Sequence, residues 1–176
     1  MHEVVAKLAG GDRRSIGRVD EVVADVLNER ALFGVVFDGM LGDDPVVRMR
    51  SADAIEKISA KRPEYLQPFK EQLLNQVARI EQQEVRWHVA QMFPRLTVHH
   101  DERAAMVTIL CGYLDDRSKI VQTFSLQALA DLAEHDPQLR GQVIALIEER
   151  MPAGSPAVRS RGARLLERLR GASDQG

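Results

Sequence analysis

The chain has 176 residues, of which 44% are hydrophobic, 28% are charged and only 5% are aromatic, and its formal net charge is −2. This charge excludes wholesale coating of nucleic acid, and no apolar run approaches the roughly 20 residues that cross a bilayer. The length accommodates one substantial core, so we expect a single helical domain over residues 1–176. We expect it in the cytoplasm, with Cys111 as a buried, inert thiol.

The first predicted elements are N-terminal capping helices within residues 1–29. Ile16 to Leu27 has an amphipathic helical pattern, residues 3–9 suggest a short helix, and Gly10-Gly11 separates them. Four helix pairs follow, at residues 30–59, 64–97, 101–134 and 137–170. Residues 171–176 are expected to fray.

The first helix of each pair is predicted from apolar residues at helical spacing. These helices fall near 30–41, from about Glu64 to Ile80, near 101–114 and near 137–150. Pro63, Pro68 and Pro137 lie near the predicted starts, where a missing N–H group costs little.

The second helix of each pair repeats one sequence pattern. Four segments align when each starts at a valine, with starts 38, 36 and 37 residues apart, at Val47, Val85, Val121 and Val158. Position 5 after each start is Ala or Leu, position 8 is Ile, Phe or Leu, and position 11 is Ile or Leu. These positions share one stripe of a helix, so each segment predicts an amphipathic helix. Asp44-Pro45, Ser118 and Ser155-Pro156 supply start signals.

The openings of these helices resemble the HEAT/armadillo class of repeats over about residues 30–170. The residues that carry the resemblance are Asp44-Pro45-Val46-Val47-Arg48 with Ala52 and Ile55, Glu84-Val85-Arg86, and Pro156-Ala157-Val158-Arg159. The resemblance implies an all-α fold, a right-handed α-solenoid of about four to five HEAT-like helical hairpins. The spacing is shorter than the roughly 40–47 residues of long HEAT repeats, and Gln122 stands where arginine is usual.

The resemblance also implies a structural role for the arginine that follows each valine. In the family this side chain bonds an acidic group at the turn. Arg48, Arg86 and Arg159 are therefore expected to hold turns, and the available acids are Asp43, Asp44 and Glu84.

The second helices are expected to line the concave surface of the solenoid. Positions 3, 6 and 10 after each starting valine lie opposite the core, at Arg50, Asp53, Lys57, His88, Gln91, Arg95, Phe124, Gln127, Asp131, Arg161, Arg164 and Arg168. Phe124 is a candidate binding anchor, unless a rotated helix buries it. Trp87 is a second candidate anchor, or it packs against a neighbouring helix.

The last helix is basic. Arg161, Arg164 and Arg168 share a stripe that suits an acidic partner or a phosphate backbone. The alternative is a polar helix that keeps the end of the repeat array in water.

Catalytic and metal-binding patterns are weak. His99-His100-Asp101-Glu102 with His88 could suggest a metal site, but a segment of this kind is more often a helix start, here with Asp101 as its cap. HEAT-like metal oxygenases carry repeated His-Glu pairs, whereas this chain has that order only at His2-Glu3. Phosphate-binding loops, Gly-x-Ser-x-Gly elbows and Cys-x-x-Cys pairs do not occur in the sequence.

We therefore expect a non-catalytic scaffold or adaptor that binds a protein or peptide, acidic in character, on its concave surface. We expect no cofactor, no metal and no membrane partner. The predicted contacts are Trp87, His88, Arg95, Phe124, Arg161, Arg164 and Arg168. One alternative is a nucleic-acid-binding module similar to HEAT-like alkylpurine DNA glycosylases, whose cleft Trp87, Arg95 and Asp131 match loosely. The other is a HEAT-like lyase or regulator.

Overall fold

The computed structural model describes residues 2–12, 14–134 and 136–171. Over these ranges the chain is helical and has no β-strand, which confirms the all-α class. It divides into two compact units, residues 1–97 and 98–176. Of the tail predicted to fray, residues 171–176, Gly171 belongs to the last helix, and residues 172–176 lie outside the described residues.

The first unit contains seven α-helices and four short 3-10 turns among its described residues. The helices are α1 (Glu3–Ala6), α2 (Val19–Asn28), α3 (Leu32–Asp38), α4 (Pro45–Lys61), α5 (Pro63–Leu66), α6 (Lys70–Asn75) and α7 (Gln83–Met92). The 3-10 turns are Gly39–Leu41, Gln67–Phe69, Val77–Arg79 and Phe93–Arg95. Helix α4 packs against α2, α3 and α7, so it is the centre of this unit.

The second unit contains four helices of 14 to 16 residues within its described part. They are α8 (His100–Tyr113), α9 (Lys119–Ala133), α10 (Pro137–Arg150) and α11 (Pro156–Gly171). Helix α9 packs against α8, α10 and α11, and α10 packs against α11. Each predicted second helix therefore packs against at least one other helix of its own unit.

The repeated apolar pattern matches burial in both units. The four starting valines are at most 6% exposed, and the residues four positions later are also buried: Ser51, Val89, Ser125 and Gly162. Ala163 on α11 is the exception at position 5, because it is exposed.

The predicted start signals are confirmed by hydrogen bonds. The Asp44 carboxylate accepts from the Val46 and Val47 N–H groups at 2.8 and 3.4 Å, at the start of α4. The Ser118 and Ser155 hydroxyl oxygens accept from backbone N–H groups of α9 and α11. These side chains satisfy donors that a helix leaves unpaired in its first turn.

In the three copies that have one, the arginine after the starting valine donates to a backbone carbonyl of the preceding turn. For Arg48 and Arg159 this carbonyl takes the place of the expected acid. Arg48 Nη1 donates to the carbonyl oxygens of Gly42 and Asp43, both at 2.9 Å. Arg86 and Arg159 likewise donate to backbone carbonyls five or six residues earlier. Gln122 Nε2 donates to the Asp116 carbonyl at 2.6 Å, so the unusual residue of the third copy makes the equivalent bond. The acceptor is the backbone because its carbonyls need a partner whatever side chain the turn carries.

The prediction of a single helix over about 64–80 is wrong. The structure breaks this segment into α5, α6 and two 3-10 turns, the first of which contains Pro68. Proline has no N–H group to continue the helical bonding pattern. The apolar spacing continues across the break and therefore conceals it.

The predicted exposure of Arg50 on α4 is also wrong, since the side chain is only 3% exposed. Its guanidinium donates to backbone carbonyls of the segment before α2, at Leu8, Gly10, Asp12 and Ser15. Gly17 has a φ of +58°, and a Cβ atom there would lie 2.9 Å from Arg50 Cζ. Arg50 therefore fixes the N-terminal loop instead of facing a partner.

Candidate functional site

Four of the seven predicted contacts lie in the second unit, on neighbouring helices. Phe124 is on α9, and Arg161, Arg164 and Arg168 are at positions i, i+3 and i+7 of α11, which packs against α9. We call the surface formed by these four residues with Gln127 and Asp131 the α9–α11 face. The six side chains share it because helical spacing aligns them on adjacent helices.

A chain of polar contacts orders the α9–α11 face. Arg161 Nη1 donates to Gln127 Oε1 at 2.9 Å, and Gln127 Nε2 donates to Asp131 Oδ1 at 2.8 Å. Arg168 Nη2 donates to the same carboxylate oxygen at 2.7 Å, in an ion pair. These bonds fix two guanidinium groups in position before a ligand arrives. Binding would therefore cost less side-chain entropy than it would if these groups were mobile.

Phe124 is half-buried, so neither alternative from the sequence describes it fully. Arg161 Cζ lies 6.0 Å from the centre of its ring, at the outer limit of a cation–π contact. The ring thus supports the arginine and keeps part of its surface open to solvent.

Arg164 differs from its two neighbours on α11. It is exposed, and no residue in the described chain gives it a hydrogen bond or an ion pair. The face carries three arginines against the single carboxylate of Asp131, so it is positively charged. A guanidinium with free donors binds carboxylates through paired hydrogen bonds.

The other three predicted contacts lie in the first unit, and two of them, His88 and Arg95, approach side chains of α4. Arg95 Nη1 donates to Ser59 Oγ at 2.9 Å and to the Glu56 carbonyl at 2.6 Å, and its Nη2 pairs with the Glu56 carboxylate. Trp87 is half-buried beside His88, with ring centres 5.7 Å apart. Arg95 is therefore committed to a structural role, whereas the sequence predicts a partner contact.

His88 belongs to a cluster that the sequence does not reveal. Asp53, Glu56 and His88 each offer a ligand atom, and these atoms lie within 4.8 Å of one another. Burial, together with nearby Lys57 and Arg95, lowers the pKa of His88 to about 4, against the opposing effect of Glu56. Burial also raises the pKa of Asp53, with Lys57 acting in the opposite direction.

The histidines at the start of α8 take no part in that cluster. His99 is the N-cap of α8, and its N–H donates to the Glu102 carboxylate at 2.8 Å, so the prediction of Asp101 as the cap is wrong. His99-His100-Asp101-Glu102 is therefore a helix start, as one of the two sequence interpretations proposed. Cys111 is half-buried, and burial raises the pKa of its thiol, so its reactive thiolate form is scarce at neutral pH.

Comparisons with known proteins define the fold alone. No protein-family model and no curated protein sequence matches the chain. A crystal structure described as an engineered protein, a target of the Northeast Structural Genomics Consortium, superposes with a TM-score of 0.63 and 17% identity. The match covers 96% of this chain and 80% of that chain. Within the described residues, no helix combines the length and the apolar character of a membrane span.

Proposed function

We propose that this chain is a non-catalytic scaffold or adaptor whose α9–α11 face binds an acidic segment of a protein or peptide. The observation that carries the proposal is Arg164, an exposed cation without a partner in the described chain, beside Arg161 and the half-open ring of Phe124. A carboxylate can bind the guanidinium groups while an apolar side chain contacts the ring.

We further propose that the helix pairs are HEAT-like repeats arranged as a right-handed α-solenoid of four to five pairs. Support comes from the four buried starting valines and from the turn bonds of Arg48, Gln122 and Arg159. Repeats of this kind bind partners on the surface lined by their second helices, and α9 and α11 are two of these.

The charge pattern favours an acidic peptide over a nucleic acid. Asp131 lies within the α9–α11 face and neutralises Arg168, so the stripe is not an uninterrupted row of cations. A phosphate backbone would bring a continuous line of negative charge close to this carboxylate, which repels it. A short acidic segment can contact Arg161 and Arg164 alone.

Fluorescence anisotropy with defined peptides tests the proposal. A labelled peptide of Glu and Asp residues around one Leu should bind the wild-type chain, and its all-Lys counterpart should not. Arg164→Glu should weaken binding at least fivefold without changing the melting temperature, because this side chain has no partner to lose. Arg117→Glu is the matched control, since Arg117 is exposed in the loop before α9 and should change affinity less than twofold.

Duplex DNA serves as the competing ligand in the same assay. The proposal fails if DNA binds and the acidic peptide does not, or if Arg164→Glu and Arg117→Glu weaken peptide binding equally. The second result would show that net charge, and not the face, governs binding.

A further inference from the structure

A cluster of ionisable side chains lies between α4 and α7 in the first unit and shares no residue with the α9–α11 face. Asp53 and Glu56 are three residues apart on α4 and therefore lie on one side of that helix. Helix α7 packs against α4 and brings His88 to the same place. The two helices thus bring two carboxylates together with an imidazole that is 32 or more residues away from both in sequence.

The spacing of the ligand atoms suits a small cation. The three atoms lie within 4.8 Å of one another. Ligands about 2.0–2.2 Å from one tetrahedral transition-metal ion are about 3.3–3.6 Å apart, so side-chain rotations that bring the most distant pair up to about 1.5 Å closer would close the cluster around an ion. None of the three residues is fully buried, which leaves room for coordinating water.

His88 supplies an independent indication. Its Nδ1 atom is buried and has no hydrogen-bond partner among the described residues. A buried polar atom without a partner costs about 1–3 kcal/mol, and native structures rarely leave one unsatisfied. This cost would disappear if Nδ1 coordinated a metal ion, or if a water molecule bound Nδ1 while the other ring nitrogen held the ion.

The protonation state of the imidazole also fits. Burial keeps the pKa of His88 at about 4, so the ring is neutral at physiological pH. Only the neutral imidazole has a lone pair to give to a metal. The ligand would not have to lose a proton before binding.

We propose that Asp53, Glu56 and His88 bind a first-row divalent transition-metal ion, for which Zn²⁺ is the representative probe. One imidazole with two carboxylates is a donor set for this class of ion, whereas Mg²⁺ and Ca²⁺ prefer sites made of oxygen alone. An open groove of about 440 Å³ lies between α2 and α4, and one member of the cluster, Glu56, is among its lining residues together with Lys57.

Two positively charged side chains already contact the cluster and should weaken its affinity for a metal ion. Lys57 Nζ lies 3.3 Å from Asp53 and 3.0 Å from Asp20, and Arg95 pairs with Glu56. A bound ion would leave Lys57 with Asp20 alone, while Arg95 keeps one oxygen of Glu56. Lys57 and Arg95 both repel the metal, so removal of the Lys57 charge should strengthen binding.

Calorimetric titration of EDTA-treated, dialysed full-length chain with ZnCl₂ at neutral pH tests the proposal. The wild type should bind one ion with a Kd below about 100 µM. His88→Gln should weaken binding at least tenfold, whereas Lys57→Gln should strengthen it threefold or more. His100→Gln is the matched control, because His100 is exposed at the start of α8 and outside the cluster, and this variant should bind like the wild type.

A second measurement keeps the test decisive if His88→Gln does not fold. Asp53→Asn, checked for helical circular dichroism, should also weaken binding, and Co²⁺ should give visible d–d absorption bands with the wild type that this variant lacks. The proposal is overturned if the wild type does not bind Zn²⁺, if His88→Gln and Asp53→Asn bind it unchanged, or if His100→Gln abolishes binding. Unchanged or weaker binding by Lys57→Gln would equally contradict it.

Discussion

Arg50 shows how one buried side chain can organise a segment that has little regular structure. Its guanidinium binds four backbone carbonyls between Leu8 and Ser15. Arginine suits this role because it carries five donors in a rigid planar group. The N-terminal loop therefore depends on a residue of α4 for its conformation.

Replacing Arg50 by Met should lower the free energy of unfolding by about 2–3 kcal/mol, because the carbonyls lose their charged partner while the apolar stem remains. Urea denaturation followed by circular dichroism measures the change. Arg117→Met is the control and should stay within about 0.5 kcal/mol of the wild type, since Arg117 is exposed. Equal stabilities of the two variants would show that the carbonyl bonds contribute nothing.

Sequence patterns could not predict the role of Arg50, because its partners are carbonyl groups that every residue carries. Periodicity places Arg50 opposite the apolar stripe of α4 and correctly identifies Val47, Ile55 and Ile58 as buried. The same limit applies to His88, whose neighbours Asp53 and Glu56 depend on how α4 packs against α7. Local spacing predicts which residues share a helix face, but the residues that contact this face depend on how the helices pack.

At the scale of single elements, helix starts were the most predictable features. Asp44, Ser118 and Ser155 precede their helices and make the expected bonds, since capping is a local interaction within four residues. The break near Pro68 was missed because the apolar spacing continues through it. A proline near a predicted helix start is compatible with one continuous helix and with a break in it.

Helix α10 offers a test of capping and of pH dependence together. Asp136 accepts from the Gln138 and Leu139 N–H groups, both at 3.1 Å, and these bonds, mainly that from Leu139, together with Arg103 lower its pKa. Asp136→Ala should cost about 1 kcal/mol at pH 7. Because the folded pKa lies below the unfolded one, the charge contributes stability above pH 3.8, and this contribution disappears as pH falls through the folded pKa.

Thermal and urea unfolding between pH 7 and pH 2 measure this effect. Asp136→Asn is the control, since an amide oxygen retains the capping bonds without titrating. The difference in the free energy of unfolding between the wild type and Asp136→Ala should become smaller as the pH falls. A difference that stays constant with pH would contradict the assigned charge effect.

The contact between α4 and the 3-10 turn that follows α3 gives a second test at this scale. A Cβ atom at Gly39 would lie 2.3 Å from Ser51 Oγ, whereas one at Gly141, on the exposed side of α10, would meet nothing within 4 Å. Gly39→Ala should therefore destabilise the chain by about 1–3 kcal/mol through overpacking. Gly141→Ala should stabilise it by up to about 1 kcal/mol, because alanine favours the helix. Calorimetric melting distinguishes the two, and a stabilising Gly39→Ala would refute the close packing.

For the whole molecule, the small net charge of −2 conceals local asymmetry. Helix α11 carries five arginines and one glutamate, and three of these arginines lie on the α9–α11 face. The repeat pattern predicted the position of this face and its basic character. The bonds that link Arg161, Gln127, Asp131 and Arg168 were not predictable, because they depend on the register between two helices.

The most direct test of peptide binding by the α9–α11 face is a residue-resolved NMR titration. The ¹⁵N-labelled chain is titrated with the acidic Leu-containing peptide, and side-chain signals of arginine and glutamine are followed with the backbone amides. The largest shifts should come from Phe124, Gln127, Arg161 and Arg164. Shifts concentrated in residues 2–97, or no shift at millimolar peptide, would contradict the account.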